Sequence, residues 1–317
     1  MRRRTRAPHE TLVFFNLKQL VAEATMKLDL LYNPAAGTFR QSDLDTLIRA
    51  FERRSCELRV LATRPGETSV SGTADLVCVM GGDGALRQVI AAMGADAGRV
   101  PICVAPAGTI NLVARELGYP RNREQFAEQI VKAWNAGPER WVKSPLYEFA
   151  GLPLLACFSV GPDSVAVSSL DPALKKRIGR YAYGAAALRM LRDWPRGSIP
   201  LSGELADGTP FECRAEGVFV ARGRYYAGPF RLSPRAELTS QTIELVTLNR
   251  ASRSSSLAFG SALAAHLPLD RVGLAEIRSV RRVVLGECDM PVQVDGDWVP
   301  GCSGEIRRGE LELSYCV

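Results

Sequence analysis

Residues 75–93 read DLVCVMGGDGALRQVIAAM, an apolar run that enters a glycine-rich turn from which a helical pattern leaves. Asp75 to Met80 has the composition of a buried strand, while Leu86, Val89, Ile90 and Met93 recur at the spacing of one helix face. Gly81, Gly82 and Gly84 fill the turn together with one carboxylate, Asp83. Glycine permits positive φ and carries no Cβ, so backbone amides and a helix N-terminus can close on an anion. Phosphate suits such a turn, although an ordinary strand-to-helix connection would read the same from these residues alone.

Three more segments repeat the design. Leu28 to Tyr32 runs into Asn33-Pro34-Ala35-Ala36-Gly37, Glu57 to Ala62 ends at Thr63-Arg64-Pro65-Gly66, and Val100 to Ala105 ends at Pro106-Ala107-Gly108-Thr109. Helices are expected between them. One starts with Ser42 as N-cap and buries Leu44, Leu47, Ile48 and Phe51; another runs from Ile110 to Leu117; a third spans 122–136 through Phe126, Ile130 and Trp134. Alternating strands and helices imply a doubly wound, mostly parallel sheet, whose ligands collect at the carboxyl ends of the strands. The four loops, including Asn111 beyond the last of them, then line one crevice.

After about residue 141 the pattern changes to short apolar runs: Leu152 to Val160, Phe211 to Arg222, Thr242 to Leu248, Val280 to Leu285, Pro291 to Val294 and Glu310 to Tyr315. Two helical inserts, 172–193 and Ser254 to Leu267, interrupt them. The expected organisation is an N-terminal α/β nucleotide-binding domain over 27–141 and a β-rich, sandwich-like domain over 142–317, with a cleft between them. The last strand is free to return to the first domain. Residues 1–26 are expected to be a disordered or extended start, with an amphipathic membrane-contacting segment as the alternative; they lack the apolar core and cleavage site of a signal peptide.

Composition narrows the partners. Eight scattered cysteines and only two histidines argue against zinc and a disulfide framework, and so for a reducing cytoplasm. A formal charge of +6 favours nucleotides, anionic lipid surfaces or nucleic acid. No nucleic-acid recognition motif accompanies the charge, and no apolar run approaches the roughly 20 residues of a membrane span, so any membrane contact is peripheral.

These residues resemble the diacylglycerol kinase catalytic family, in particular the bacterial lipid kinases and their sphingosine and ceramide kinase relatives, within the NAD kinase-like superfamily. Leu30 to Gly37 is similar to the family's first nucleotide loop, Gly81 to Gly84 to its central motif and Pro106 to Arg115 to its third. Thr63 stands where the family has a nucleotide-contacting threonine. Gly179 to Tyr183, Ala221 to Gly228 and Asp295-Gly296-Asp297 are similar to later landmarks, in the same order. The resemblance implies an ATP-dependent lipid kinase. ATP phosphates would lie over Gly81, Gly82, Asp83 and Gly84, Asp83 would fix Mg²⁺ or a magnesium-bound water, and Gly108 and Thr109 would bound the far side, with Asn33 and Asn111 in the flanking loops. Asp297 would take the proton from the acceptor hydroxyl, at a position where relatives usually carry Glu. Asp295-Gly296 is also a common hairpin turn, and the two roles are compatible.

Four departures from the family bear on activity: Ala85 for the usual Thr, Leu112 where many relatives carry Asp, Pro162 within Gly161-x-Asp163, and Ser240-Gln241 where Asp-Gly is common. A nucleotide-binding protein with weak or no kinase activity is therefore one alternative, and a soluble NAD kinase-like enzyme another. Lys175, Lys176, Arg177 and Arg180, and then Arg222, Arg224, Arg231 and Arg235 around Tyr225-Tyr226, are expected to be mostly solvated, or else to attract an anionic membrane that holds the lipid substrate. Trp194 and Tyr225 suit a core or a lipid contact equally. A homodimer is left open.

Overall fold

The computed structural model describes residues 25–64, 66, 68–168, 197–299, 301 and 303–317. The expected helix over 172–193 with its four basic residues, the 179–183 landmark, Trp194 and the first 24 residues lie outside these.

Four parallel strands form the first half: β1 (Lys27–Tyr32), β2 (Glu57–Ala62), β3 (Leu76–Gly81) and β4 (Ile102–Pro106). They lie in the order β4-β3-β1-β2, with Leu30 opposite both Val60 and Cys78. The β3 and β4 residues are all buried, as an apolar run covered on both faces requires. Helix α1 (Gln41–Glu52) buries Leu44, Leu47 and Phe51 and meets Phe126 of α4 (Arg123–Ala136) edge to ring. Helix α2 (Asp83–Met93) buries Leu86, Val89, Ile90 and Met93, the expected face.

Two helix boundaries differ from expectation. Ser42 is not an N-cap: α1 starts at Gln41 with Arg40 at the cap and no side-chain cap bond. Its entry is set upstream, where Thr38 donates both its amide and its hydroxyl to the Ala107 carbonyl. The expected helix from Ile110 shrinks to α3 (Leu112–Glu116), because Asn111 adopts a left-handed φ of 59°. Its carboxamide accepts from the Gly108 amide and donates to the Gly108 carbonyl, locking the loop before the helix can start.

The second half contains β5 (Val142–Phe149), β6 (Leu152–Leu154), β7 (Cys157–Val160), α5 (Pro162–Ser168), β8 (Ile199–Leu205), β9 (Pro210–Ala215), β10 (Gly217–Ala221), β11 (Ile243–Leu248), α6 (Arg253–Ala264), β12 (Glu276–Leu285), β13 (Val292–Val294), β14 (Asp297–Val299) and β15 (Gly304–Tyr315). The runs read as single strands over 152–160 and 211–222 are each broken in two. Val218, Val220, Ile243 and Leu245 point into one sandwich core with Phe158, Val283 and Ile306. The alternate residues Phe219, Val246 and Leu248 join the other core, where Phe219 stacks on Phe259 of α6. Period-two alternation thus buries both faces of β10 and β11.

One strand ties the halves together. β15 pairs with β12 and β5, and Tyr315 then aligns in parallel with Ile102 of β4, so a continuous sheet of described strands crosses the molecule. Tyr119 donates to the Cys316 carbonyl at the same seam.

Candidate active site

The loops after β1, β3 and β4 meet at the carboxyl edge of the sheet. Gly82 and Gly108 form the closest approach: a Cβ built on Gly108 would fall 2.5 Å from the Gly82 Cα, and one on Gly82 would fall 3.1 Å from the Gly108 Cα. Only glycine allows the two backbones to touch there. Gly37 has the same relation to the Thr109 hydroxyl, 2.3 Å from where its Cβ would be, and Gly81 to the Ala85 methyl. The Asn33 amide donates to the Met80 carbonyl, and its side chain accepts from the Ala35 amide to hold the first loop. Thr63, at the end of β2, is buried, and its hydroxyl has no hydrogen-bond partner among the described residues.

Asp83 caps this floor from below. Its Oδ2 accepts from the Leu112 amide at 2.8 Å and its Oδ1 from the Val113 amide at 3.0 Å, so the carboxylate bridges the start of α2 to the start of α3. Helix N-termini favour a negative charge. Burial nevertheless raises the Asp83 pKa, the two amides opposing the rise and the nearby Asp297 adding to it. Leu112, where relatives often carry an acid, contributes its amide here and buries its side chain.

Asp297 reaches the same floor from the second half. β13 and β14 form a hairpin closed by the Val294–Asp297 pair, with Asp295 and Gly296 as the turn at φ 52° and 86°. Both positive angles fit a two-residue type I′ turn. Asp297 lies against Gly84, where a Cβ would stand 2.5 Å from Oδ2. Arg87 of α2 donates to that oxygen at 2.8 Å and to the Val294 carbonyl at 2.6 Å. The hairpin and the catalytic position suggested by the sequence occupy the same residues.

Asp295 holds the hairpin root. Its carboxylate accepts from the Leu155, Ala156 and Cys157 amides at 3.0, 2.7 and 3.1 Å. Those bonds take the backbone that would have joined β6 to β7, which explains the broken strand. Burial pushes the Asp295 pKa up to about 6, against the charge of Arg87 and the three amides. Beside it, the Ser159 hydroxyl donates to Asp163 at 2.6 Å and lies 3.2 Å from Gln293, and burial raises the Asp163 pKa. Pro162 starts α5 and leaves Asp163 in place.

The basic stretch needs correction. Arg222 is no surface cation: it is 1% exposed, donates to the Pro145 and Leu238 carbonyls, and stacks over the Tyr147 ring. Ser240 and Gln241 serve the same knot with backbone carbonyls that accept from Arg222 and from the Tyr147 hydroxyl. Arg224 pairs with Glu237 and Arg235 with Glu244, while Arg115 and Arg231 face the half-buried Tyr225 ring. Three further residues support the site without a motif that marks them in the sequence: Arg87, Asp295 as an anchor, and Glu116, which accepts from the Arg224 and Leu238 amides across the halves. The helical spacing of Gly84 and Arg87 was the available signal for the first.

The residues suit a nucleotide. Glycine contacts leave the loop backbones bare, and a buried hydroxyl at Thr63 stands without a partner among the described residues. No group of three or more acidic, His or Cys side chains able to hold a metal occurs among the described residues. Mg²⁺ is ordinarily held by one or two carboxylates plus substrate phosphates, and each Asp83 oxygen keeps a second lone pair, so the donor set fits a metal that arrives with phosphate.

Comparison with known proteins agrees in both halves. The family model "Diacylglycerol kinase catalytic domain" matches residues 27–136, and "YegS C-terminal NAD kinase beta sandwich-like domain" matches residues 156–308. A Diacylglycerol kinase from Staphylococcus aureus (strain NCTC 8325 / PS 47) is 24% identical over 231 residues, 70% of this chain and 70% of that protein. Two structures from Bacillus anthracis str. Sterne share the fold. One superposes with a TM-score of 0.70 at 22% identity, covering 93% of this chain and 97% of the other. The second, of a diacylglycerol kinase, gives 0.66 at 20% identity, with 90% and 96% covered. With consecutive matches reaching from the parallel sheet through the hairpin of Asp297, the chain belongs to the diacylglycerol kinase catalytic family, among the NAD kinase-like lipid kinases.

Proposed function

We propose that the protein is an ATP-dependent lipid kinase that transfers the γ-phosphate to a hydroxyl of diacylglycerol or a related lipid. The observation that carries the reading is the contact of Asp297 with Gly84, which sets a carboxylate from one half of the chain on the glycine turn of the other. Phosphoryl transfer asks for positioning, charge neutralisation and an acceptor for the hydroxyl proton. On this reading the phosphates rest on the amides of Gly81, Gly82 and Gly84 and are bounded by Gly108 and Thr109. Thr63 offers its hydroxyl to the nucleotide, and Asn33 and Asn111 keep the flanking loops in shape. Asp297 takes the proton of the acceptor hydroxyl. Asp83 braces the loop and is the ligand through which Mg²⁺ would be held. When bound, the ion neutralises charge on the phosphates.

No helix among the described residues is long and apolar enough to cross a membrane. On this reading the lipid is met by peripheral contact with a bilayer, at its cytoplasmic face. The test is labelled ATP with Mg²⁺ and a panel of diacylglycerol, phosphatidylglycerol, sphingosine, ceramide and NAD. Label extracted with a lipid supports the reading; label on NAD instead sinks it. A second reading, nucleotide binding with little transfer, is favoured by one feature: Oδ2 of Asp297 is already engaged by Arg87. ATP bound without turnover on any acceptor would establish it.

A further inference from the structure

We propose that helix α6 and the loop after it form a docking surface for an anionic lipid bilayer, which continues along one face of the sheet to Trp298; the choice of a bilayer as occupant rests on the lipid-kinase reading. α6 buries Phe259, Ala262 and Leu263 against the rest of the molecule. Its other side is exposed, yet no Asp, Glu, Lys or Arg occurs from Ser254 to Leu269. An exposed helix side ordinarily carries charged and polar residues. Of the five large apolar side chains exposed among the described residues, three stand here: Leu257 at 58%, Leu267 at 47% and Val272 at 44%. A fourth is Trp298, at 55%. Phe219, Ser159, Gln293 and Trp298 are direct partners across β10, β7, β13 and β14, so their side chains leave the same face. At one end of that row Phe219 stacks on Phe259 of α6; at the other, Trp298 follows Asp297 in the chain.

Cations frame the apolar side. Arg250 precedes α6 and Arg271 follows its loop; both are exposed, and neither forms an ion pair among the described residues. The His266 ring at the end of α6 lies 6.5 Å from that of Phe230. Next to Phe230, Arg231 shares the Tyr225 ring with Arg115, at 5.7 and 4.8 Å from its centroid. Two guanidiniums held at one neutral ring repel each other and favour an anion nearby. Arg115 belongs to α3, whose first amides hold Asp83, so the cationic rim reaches the glycine floor. Apolar anchors within a basic rim are the composition of a surface that lies on a membrane, and tryptophan favours the headgroup depth. A second copy of the chain suits the face less well, because pairing it with itself brings one cationic rim against the other. A bilayer seated here meets Trp298 one residue from Asp297, which shortens the path of an acceptor lipid to the carboxylate.

The experiment is co-sedimentation of the full-length protein with phosphatidylcholine vesicles, with and without phosphatidylglycerol. Wild type should bind the anionic vesicles and let go as salt rises. Leu257→Glu combined with Leu267→Glu should weaken that binding by about tenfold or more, the scale of losing buried leucine contacts. Arg250→Gln combined with Arg271→Gln should weaken it by about fivefold for each charge removed. Both double variants should melt like the wild type, since the side chains they replace are exposed. The part of the tryptophan emission that Trp298→Phe removes should be quenched by brominated lipid in the vesicles. Unaltered vesicle binding in both double variants, or no quenching of that emission, overturns the proposal. A concentration-dependent dimer that the leucine variant abolishes while its vesicle binding persists overturns it as well, and makes the face a contact between copies. In transfer assays the leucine variant should lose about tenfold or more on diacylglycerol in vesicles and keep its rate on a water-soluble short-chain diacylglycerol. Wild type that binds the vesicles as described but phosphorylates neither lipid sinks the kinase reading and leaves the surface standing. Wild type that phosphorylates the soluble lipid without binding vesicles does the reverse.

Discussion

Asp83 is 8% exposed with both oxygens on backbone amides, whereas Asp297 keeps 44% of its side chain open and is held by another side chain. The two carboxyl groups serve one site from opposite supports. A group fixed by two amides of a neighbouring helix is part of the scaffold, and its removal disturbs the loops around it. A group fixed by one guanidinium at the tip of a two-residue turn can respond to a substrate at small cost. The difference separates binding from chemistry, and mutation of each half tests whether that separation is real.

The largest effect is expected from Asp297→Asn. Turnover should fall by about 10²–10⁴, the usual contribution of a positioned general base, while calorimetric ATP affinity stays within about twofold. Equal losses in both would erase the contrast. Asp83→Ala comes next: it orphans two buried amides, at about 1–3 kcal/mol each, so the melting temperature should drop by several degrees along with ATP binding and transfer. A variant that melts like the wild type would make Asp83 a ligand and not a brace. Gly108→Ala should weaken ATP binding at least tenfold with an unchanged far-ultraviolet spectrum, since its new methyl collides with the Gly82 backbone. Normal affinity would mean the loops separate easily.

The smallest effect concerns pH. Asp295 has its folded-state pKa pushed up from 3.8 to about 6 by burial. Because the folded value lies above the unfolded one, the ionised group costs stability at pH 7 and above, and that cost disappears as pH falls through 6 toward 4. Wild type should therefore gain on Asp295→Asn as the solution is acidified across that window, by on the order of 1.4 kcal/mol for each pH unit crossed. Melts at three pH values measure it; a gap that stays constant would show that Arg87 and the three amides offset burial in full.

Much of the glycine-loop floor was legible because its signals are local. Strand, glycine turn and helix follow one another within 75–93, and the DG turn before Asp297 announces its own hairpin. What escaped depends on partners far along the chain. The gap between β6 and β7 is made by Asp295, and the start of α3 by Asn111 turning back on Gly108. Arg222 looks like surface charge until Pro145, Leu238 and Tyr147 surround it. β5 was missed because Lys143, Pro145 and Glu148 interrupt its alternation, though its partners β15 and β6 hold it in register. Arg87 sits on a helix whose apolar face alone was read.

The crossing strand β15 has a consequence for how the protein is made. Ile102 has Val77 beside it on β3 but lacks its second parallel neighbour until Tyr315 has been synthesised, and the Tyr119 hydroxyl waits for a carbonyl 197 residues further on. A nascent chain on the ribosome therefore carries the whole glycine-loop half with one sheet edge uncovered, and such edges invite pairing with other chains. Contacts so distant in sequence also close slowly. Loss of the last few residues should then be felt first as poor yield and aggregation, at a distance from any catalytic group.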